Sequence, residues 1–131
     1  MTARSILVAL ALVTLVGCGP EDWCKAEQKA HAVASTVLPA LSMLAPDKAD
    51  LLGTSLATAH AGVLAVGCDG DKVTLGDRVM AVAEIAGQVL ALYGQLRGRD
   101  IGPPVMTEAE RLQAIADLAK LQAAIARERG R

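Results

Sequence analysis

Hydrophobic residues recur at helical spacing in four segments of the chain, which follow an apolar N-terminal run. The first two segments are residues 20–44 and 46–66, each opened by a proline, and a glycine ends the second. Pro39 inside the first segment should kink or split that helix. The third segment is residues 77–96 and the fourth begins after residue 107. The links are short and predict antiparallel neighbours, so we expect an all-α fold, a small antiparallel four-helix bundle.

The third and fourth segments carry recognisable start signals. Thr74 and Asp77 resemble a capping pair for the third helix, whose narrow polar stripe predicts that it is the most buried of the set. Thr107 and Glu110 form a T-x-x-E capping box for the fourth helix. We expect Asp117 on its polar side. The expected apolar side consists of Leu112, Ile115, Leu118, Leu121 and Ile125.

The N-terminal apolar run ends on a small residue and a cysteine rather than on a charge. Arg4 precedes residues 6–16, which are apolar except for Thr14, and this layout is typical of a secretory signal peptide. The run has about half of the ~20 residues that a helix needs to span a bilayer. Residues 15–18, LVGC, resemble the lipobox of bacterial lipoproteins.

The resemblance implies a lipid anchor on Cys18. In lipoproteins the cysteine is acylated and the signal is removed before it, so residues 1–17 would be the signal peptide, 18–22 a lipidated tether and 23–131 the helical domain. Gly19, in place of an aspartate, implies the periplasmic face of the outer membrane in a Gram-negative cell, and the outside of the plasma membrane in a Gram-positive one. An ordinary signal peptide or an uncleaved hydrophobic anchor is the alternative.

Composition excludes several classes of function. The formal net charge of −1 gives no overall basicity, so we expect no nucleic-acid partner. Aromatic residues make up 2% of the chain and Phe is absent, which disfavours an aromatic-lined ligand pocket. The serines lack a nucleophile-elbow pattern and a nearby His–acid pair, so we expect neither an enzyme nor a cofactor.

Cys24 and Cys68 lie at the outer ends of the first two helices. Each helix runs about twenty residues from its cysteine to the turn at Pro46, so folding them as a hairpin brings the two cysteines together. Lipidation removes Cys18 from the count, and disulfides persist outside the cytoplasm. We therefore predict a Cys24–Cys68 disulfide, with two buried thiols as the alternative.

The same hairpin sets His31 nearly opposite His60, and Glu27 lies one turn from His31. Two imidazoles and a carboxylate are a possible ligand set for a divalent metal. No further residue that would orient these ligands is identifiable in the sequence. We therefore favour histidines at the edge of the core or in solvent, and keep the metal site as a weaker hypothesis.

The C-terminus returns to the anchored end of a four-helix bundle. Its cations are expected either to contact lipid headgroups or to form a solvated tail that complements the helix dipole. These residues are Arg127, Arg129 and Arg131. The loop at the opposite end is the expected partner-facing surface, through Arg97, Arg99, Asp100 and Ile101.

Together these features predict a membrane-anchored envelope lipoprotein that acts as a non-enzymatic helical module, for protein interaction or for a structural role. One alternative is a phage- or prophage-encoded lipoprotein that acts in lysis or superinfection exclusion, and a second is a metal or small-ligand carrier. The second and third helices are also apolar enough for a membrane hairpin. Asp50, His60 and Glu84 would be costly in such a hairpin, so we favour a soluble core.

Overall fold

A computed structural model describes residues 20–96 and 105–130, and in these residues the chain forms four helices and no strands. The helices are α1 (Pro20–Leu44), α2 (Pro46–Val66), α3 (Lys72–Leu96) and α4 (Glu108–Arg129). The predicted all-α four-helix bundle is confirmed.

α1 and α3 form the centre of the bundle, and α2 and α4 lie on opposite flanks. α1 and α3 pack extensively on each other, whereas α2 and α4 make no contact within the described residues. α1 and α3 each have nine buried residues, so the prediction that α3 alone is the most buried helix is only partly right. Alternating helix directions bring the start of α1, the end of α2, the start of α3 and the end of α4 to one end of the bundle. This end is called the anchor end here, because the predicted acylation site, Cys18, shortly precedes α1 in the sequence.

The α1–α2 hairpin begins and ends where the sequence predicts. Pro46 occupies the first turn of α2, where a missing N–H costs no hydrogen bond. Gly67 ends α2 with a φ of 78°, a left-handed conformation that favours glycine. Pro39 lies inside α1 without splitting it, so α1 is a single helix of 25 residues.

The predicted start of α3 is wrong. α3 begins at Lys72, five residues before Asp77, because the Asp71 carboxylate accepts hydrogen bonds from the backbone N–H and the hydroxyl of Thr74. These bonds lower the pKa of Asp71, since they favour its charged form. Asp77 lies inside the helix and pairs with Arg129 instead.

The capping box of α4 is confirmed, but the face that α4 buries is rotated from the prediction. Thr107 Oγ1 accepts from the Glu110 N–H at 3.1 Å, and the Glu110 carboxylate accepts from the Thr107 N–H at 2.8 Å. Leu112 is 53% exposed, whereas Asp117, expected in solvent, is fully buried. Leu118, Leu121 and Ile125 are buried as predicted, but the buried side of α4 also includes Ala114 and Asp117 and leaves Leu112 outside.

Three helices meet tightly at Gly76 near the anchor end. A Cβ added at Gly76 would lie 3.0 Å from Ile125 of α4 and 3.4 Å from the Trp23 ring of α1. Trp23 is 1% exposed and is the largest fully buried side chain. Because glycine leaves room for the indole, this contact fixes α1 and α4 against the start of α3.

Candidate functional site

A disulfide closes the anchor end of the α1–α2 hairpin, as predicted. Cys24 and Cys68 are bonded, with their Cα atoms 5.9 Å apart. Cys24 is buried in the first turns of α1, and Cys68 is exposed just after α2. The bond ties the start of α1 to the end of α2, and Cys24 lies six residues after Cys18.

One turn further from the disulfide, a buried carboxylate bridges α1 and α2. Glu27 is 1% exposed, and its Oε2 lies 2.7 Å from Nδ1 of His60. An imidazole that carries a proton on Nδ1 donates this bond to the carboxylate. His60 is itself only partly exposed, so the bond gives the buried Glu27 side chain a hydrogen-bond partner.

His31 stacks on His60, which confirms the predicted register of the hairpin. The ring centroids are 4.0 Å apart and the ring planes differ by 16°. Burial lowers the pKa of His31, and the proximity of His60 lowers it further, whereas the Glu27 charge opposes the shift. His31 is therefore less protonated than a solvated histidine at the same pH.

The geometry of these three residues does not favour a shared metal. Imidazole ligands bind zinc in the ring plane at about 2.0–2.1 Å, and two rings stacked nearly parallel cannot direct their nitrogens at one such point. The Nδ1 of His60 is already bonded to Glu27. Among the described residues, no group of three or more His, Cys, Asp and Glu side chains is placed to hold a metal ion.

The basic C-terminus reaches the anchor end, and two ion pairs join the end of α4 to the start of α3. Arg129 lies 2.9 Å from Asp77, and Lys72 lies 3.0 Å from Glu128. These pairs are largely exposed and stabilise the fold little. Arg127 is exposed near them. The pairing of Arg129 with Asp77 reduces the net positive charge at this end of the bundle.

The outer face of α2 is uncharged. α2 buries only Ala49, Leu56 and Val63 against the bundle. We define the outer face as the exposed residues from Leu51 to Ala65, which follow the exposed Asp50 of the second turn: Leu51, Thr54, Ala57, Thr58, Ala61, Leu64 and Ala65. By length and composition, α2 and α3 are both apolar enough to span a membrane. They differ in burial, because the bundle buries 39% of the apolar stretch of α3 but only 17% of that of α2.

A cation borders this outer face. The Arg78 side chain of α3 crosses Gly62 of α2, so that a Cβ added at Gly62 would lie 3.2 Å from the guanidinium. Arg78 is exposed and its role was not predicted, because the sequence alone does not show which residue of α3 lies over the glycine of α2. Arg78 places a positive charge at the edge of an uncharged surface.

Two open grooves run between neighbouring helices. The groove between α1 and α2 has a volume of about 600 Å³, and the groove between α3 and α4 about 300 Å³. The first is lined by Ser35, Leu38, Pro39, Ser42, Ala49, Asp50, Gly53, Thr54, Ala57 and Thr58. The second is lined by Ala83, Glu84, Gly87, Gln88, Ala91, Ile115, Leu118, Ala119 and Gln122. Both are broadly open to solvent and lack aromatic side chains, unlike the pockets that enclose small ligands.

Two further side chains of α4 have contacts that the sequence did not predict. Asp117 accepts from Gln113 at 2.9 Å through Oδ1 while its buried Oδ2 has no partner, and burial raises its pKa. Arg111 pairs with Glu108 at 2.7 Å and donates to the Leu90 carbonyl, which joins α4 to α3. Hydrogen bonding to Glu108 raises the pKa of Arg111.

Several predicted functional residues lie outside the described part of the chain. These are the signal segment 1–17, the acylation site Cys18, the loop residues Arg97, Arg99, Asp100 and Ile101, and Arg131. Their predicted roles stay predictions.

The chain matches no protein-family model, no curated protein and no solved structure.

Proposed function

We propose that the protein is an envelope lipoprotein, anchored outside the cytoplasm through acylated Cys18, whose helical bundle is a non-enzymatic module for binding a protein partner. The observation that carries this proposal is the Cys24–Cys68 disulfide, which lies six residues from the lipobox cysteine. Disulfides persist in oxidising compartments, which is where a lipobox signal delivers its protein.

The anchor and the disulfide act together at one end of the bundle. Each acyl methylene that enters the bilayer contributes about 0.8 kcal/mol, and stable anchoring requires more than one chain, as lipoproteins have. Only one residue separates Cys18 from Pro20, where α1 begins. The folded domain is therefore held at the membrane surface and is not free to extend far into the surrounding compartment.

The shape of the domain supports a protein partner over a small ligand. The two helix–helix grooves are broadly open to solvent and lack aromatic side chains, so neither surrounds a small molecule on most sides. The parallel stacking of His31 and His60 disfavours the alternative of a metal carrier. No observation favours a role in phage lysis or exclusion.

Membrane fractionation combined with crosslinking tests the proposal. The wild-type chain should remain with membranes in high salt and be released only by detergent, while Cys18→Ala should lose that attachment. Crosslinking in intact cells should join the wild type to one defined protein, and tagging that protein should recover this chain. Cys68→Ser is the matched control, because it removes a cysteine but leaves the lipobox intact.

Two outcomes would contradict separate parts of the proposal. The lipid anchor would be contradicted if high salt released the wild-type protein, or if the Cys18→Ala protein stayed in the membrane. The interaction role alone would be contradicted if an anchored chain crosslinked to no other protein at any exposed lysine.

A further inference from the structure

The proposed lipid attachment lies close to the end of α2. Cys18 is two residues from Pro20, and Cys24 is one helical turn into α1. The disulfide then brings the Cα of Cys68 to 5.9 Å from that of Cys24. By helix geometry, the Cα of Cys68 is within about 12 Å of that of Pro20, the residue at which α1 begins. The bilayer surface is thus within reach of the last turns of α2.

The outer face of α2 has the composition of a surface that contacts apolar material. From Leu51 to Val66 the sequence contains no Asp, Glu, Lys or Arg. His60 is the one titratable side chain in this stretch, and its Nδ1 is directed inward to Glu27. Leu64, which is 64% exposed, lies in the last turns of α2, on the side nearest the anchor. Leu51, which is 68% exposed, lies near the other end of the face.

The area of this face is small for a second copy of the chain. α2 has 21 residues and is therefore about 30 Å long, and a helix is about 10 Å wide, so its footprint is roughly 300 Å². A stable protein interface buries about 800 Å² on each partner. A bilayer imposes no such minimum, because the acyl chains already hold the domain at its surface.

Charges border the face but do not interrupt it. Arg78 lies beside Gly62 on the half of α2 nearer the anchor, where a cation is attracted to anionic headgroups. The charged residues of α2, Asp47, Lys48 and Asp50, lie in its first two turns, at the opposite end of the helix. The uncharged stretch therefore occupies the half of α2 nearer the lipid attachment, and the exposed carboxylates of Asp69 and Asp71 follow just beyond its end.

We propose that the outer face of α2 lies against the bilayer that holds the Cys18 lipid, so that the bundle rests on its side. This proposal depends on the lipid anchor of the proposed function. Because α2 and α4 lie on opposite flanks of α1 and α3, α4 and the α3–α4 groove then face away from the membrane and toward a protein partner. The arrangement differs from an upright bundle that contacts headgroups through Arg127, Arg129 and Arg131.

Tryptophan quenching by brominated lipids tests this orientation. The acylated full chain is placed in vesicles of phosphatidylethanolamine and phosphatidylglycerol, with or without bromine on the acyl chains. The wild type, whose one tryptophan is Trp23, is measured in parallel, and its quenching is subtracted from that of each variant. Leu64→Trp and Leu51→Trp report on the two ends of the α2 face. Leu112→Trp is the matched control, because Leu112 is also a large exposed side chain but lies on α4.

We expect bromine to remove about half of the added emission of Leu64→Trp, since a helix in the interface is buried about 5–10 Å into the headgroup and acyl boundary. Leu51→Trp should be quenched measurably, and Leu112→Trp not at all. Ala61→Asp, which puts a charge on the face, should abolish the quenching of Leu64→Trp. Ala116→Asp, at an exposed site of α4, should leave it unchanged.

Quenching of Leu112→Trp as strong as that of Leu64→Trp, or no quenching of Leu64→Trp, would overturn the proposal. The face would instead be assigned to a second copy if Leu64→Trp were shielded from water but not quenched by bromine, and if the chain crosslinked to itself. The mass of the same sample shows whether the orientation alone fails or the lipid anchor fails as well. An acylated but unquenched chain leaves the anchor standing, whereas a chain without acyl groups that does not float with the vesicles removes both proposals.

Discussion

Removing the Cys24–Cys68 disulfide should lower the free energy of unfolding by about 4 kcal/mol. The two cysteines are 44 residues apart, and a crosslink that closes a loop of this length restricts the unfolded chain by that amount on the chain-entropy model. Small domains have net stabilities of about 5–15 kcal/mol, so the loss is a large fraction of the total. The folded state should survive, because the core beyond the disulfide is intact.

The Cys24→Ala/Cys68→Ala variant should show this loss in urea unfolding without reductant. With an m value near 2 kcal/mol per M, the midpoint should fall by about 2 M. Reduced wild type is the matched control, because Cys24→Ala removes only one buried sulfur and Cys68 is exposed. The two samples should therefore unfold at closely similar urea concentrations.

The reasoning would be refuted if the oxidised wild type and the double variant differed by less than about 1 kcal/mol, which is the effect of an ordinary substitution. It would also be refuted if the reduced wild type kept the stability of the oxidised protein. Thiol counting by mass on the same samples establishes that the bond is present in one state and absent in the other.

Three further predictions concern single residues and are checked by urea unfolding. Thr107→Ala should cost about 1 kcal/mol, because it removes the acceptor of the Glu110 N–H, and a neutral result would contradict the capping box. Asp117→Asn should stabilise the protein at pH 7, because burial raises the pKa of Asp117 and penalises its charge in the folded state. The gain in the free energy of unfolding should disappear in acid, where Asp117 is protonated. The pKa of His31 is lower in the folded protein than the 6.5 of an unfolded chain, so the contribution of His31 to the free energy of unfolding is complete above pH 6.5 and is lost as pH falls through the folded pKa. His31→Gln should therefore make the free energy of unfolding less dependent on pH in this range. A steeper profile for His31→Gln would contradict the sign of that shift.

The limits of the α1–α2 hairpin could be predicted because proline and glycine have strong local effects. Pro46 has no N–H and suits a first helical turn, and Gly67 adopts a positive φ. Equal helix lengths then placed Cys24 beside Cys68 and His31 beside His60. The Glu27–His60 hydrogen bond could not be predicted, because it depends on side-chain directions that the spacing of residues does not determine.

The rotation of α4 could not be predicted because alanine gives a weak hydrophobic signal. The large residues Leu112 and Ile115 favoured one face, but the bundle buries Ala114 and Ala124 in a close approach to α3, which turns Leu112 outward and Asp117 inward. In an alanine-rich helix, the cost of exposing a leucine is offset by the closer packing that small residues allow.

The predicted start of α3 was wrong for a different reason. Thr74 and Asp77 have the spacing of a capping pair, but Asp71 lies three residues before Thr74 and caps the backbone N–H of Thr74. Both positions satisfy the rule that a polar side chain precedes the helix, and the sequence does not rank them. The longer helix is favoured because it buries Leu75 and brings Gly76 against Trp23.

The intact mass of the protein extracted from membranes tests the central claim most directly. Measured with and without reductant beside Cys18→Ala, the mass should correspond to a chain that begins at Cys18 with added acyl groups, and reduction should add two hydrogens for the Cys24–Cys68 bond. A chain that retains residues 1–17, or a Cys18→Ala protein that stays in the membrane, would contradict the account of a lipid-anchored bundle.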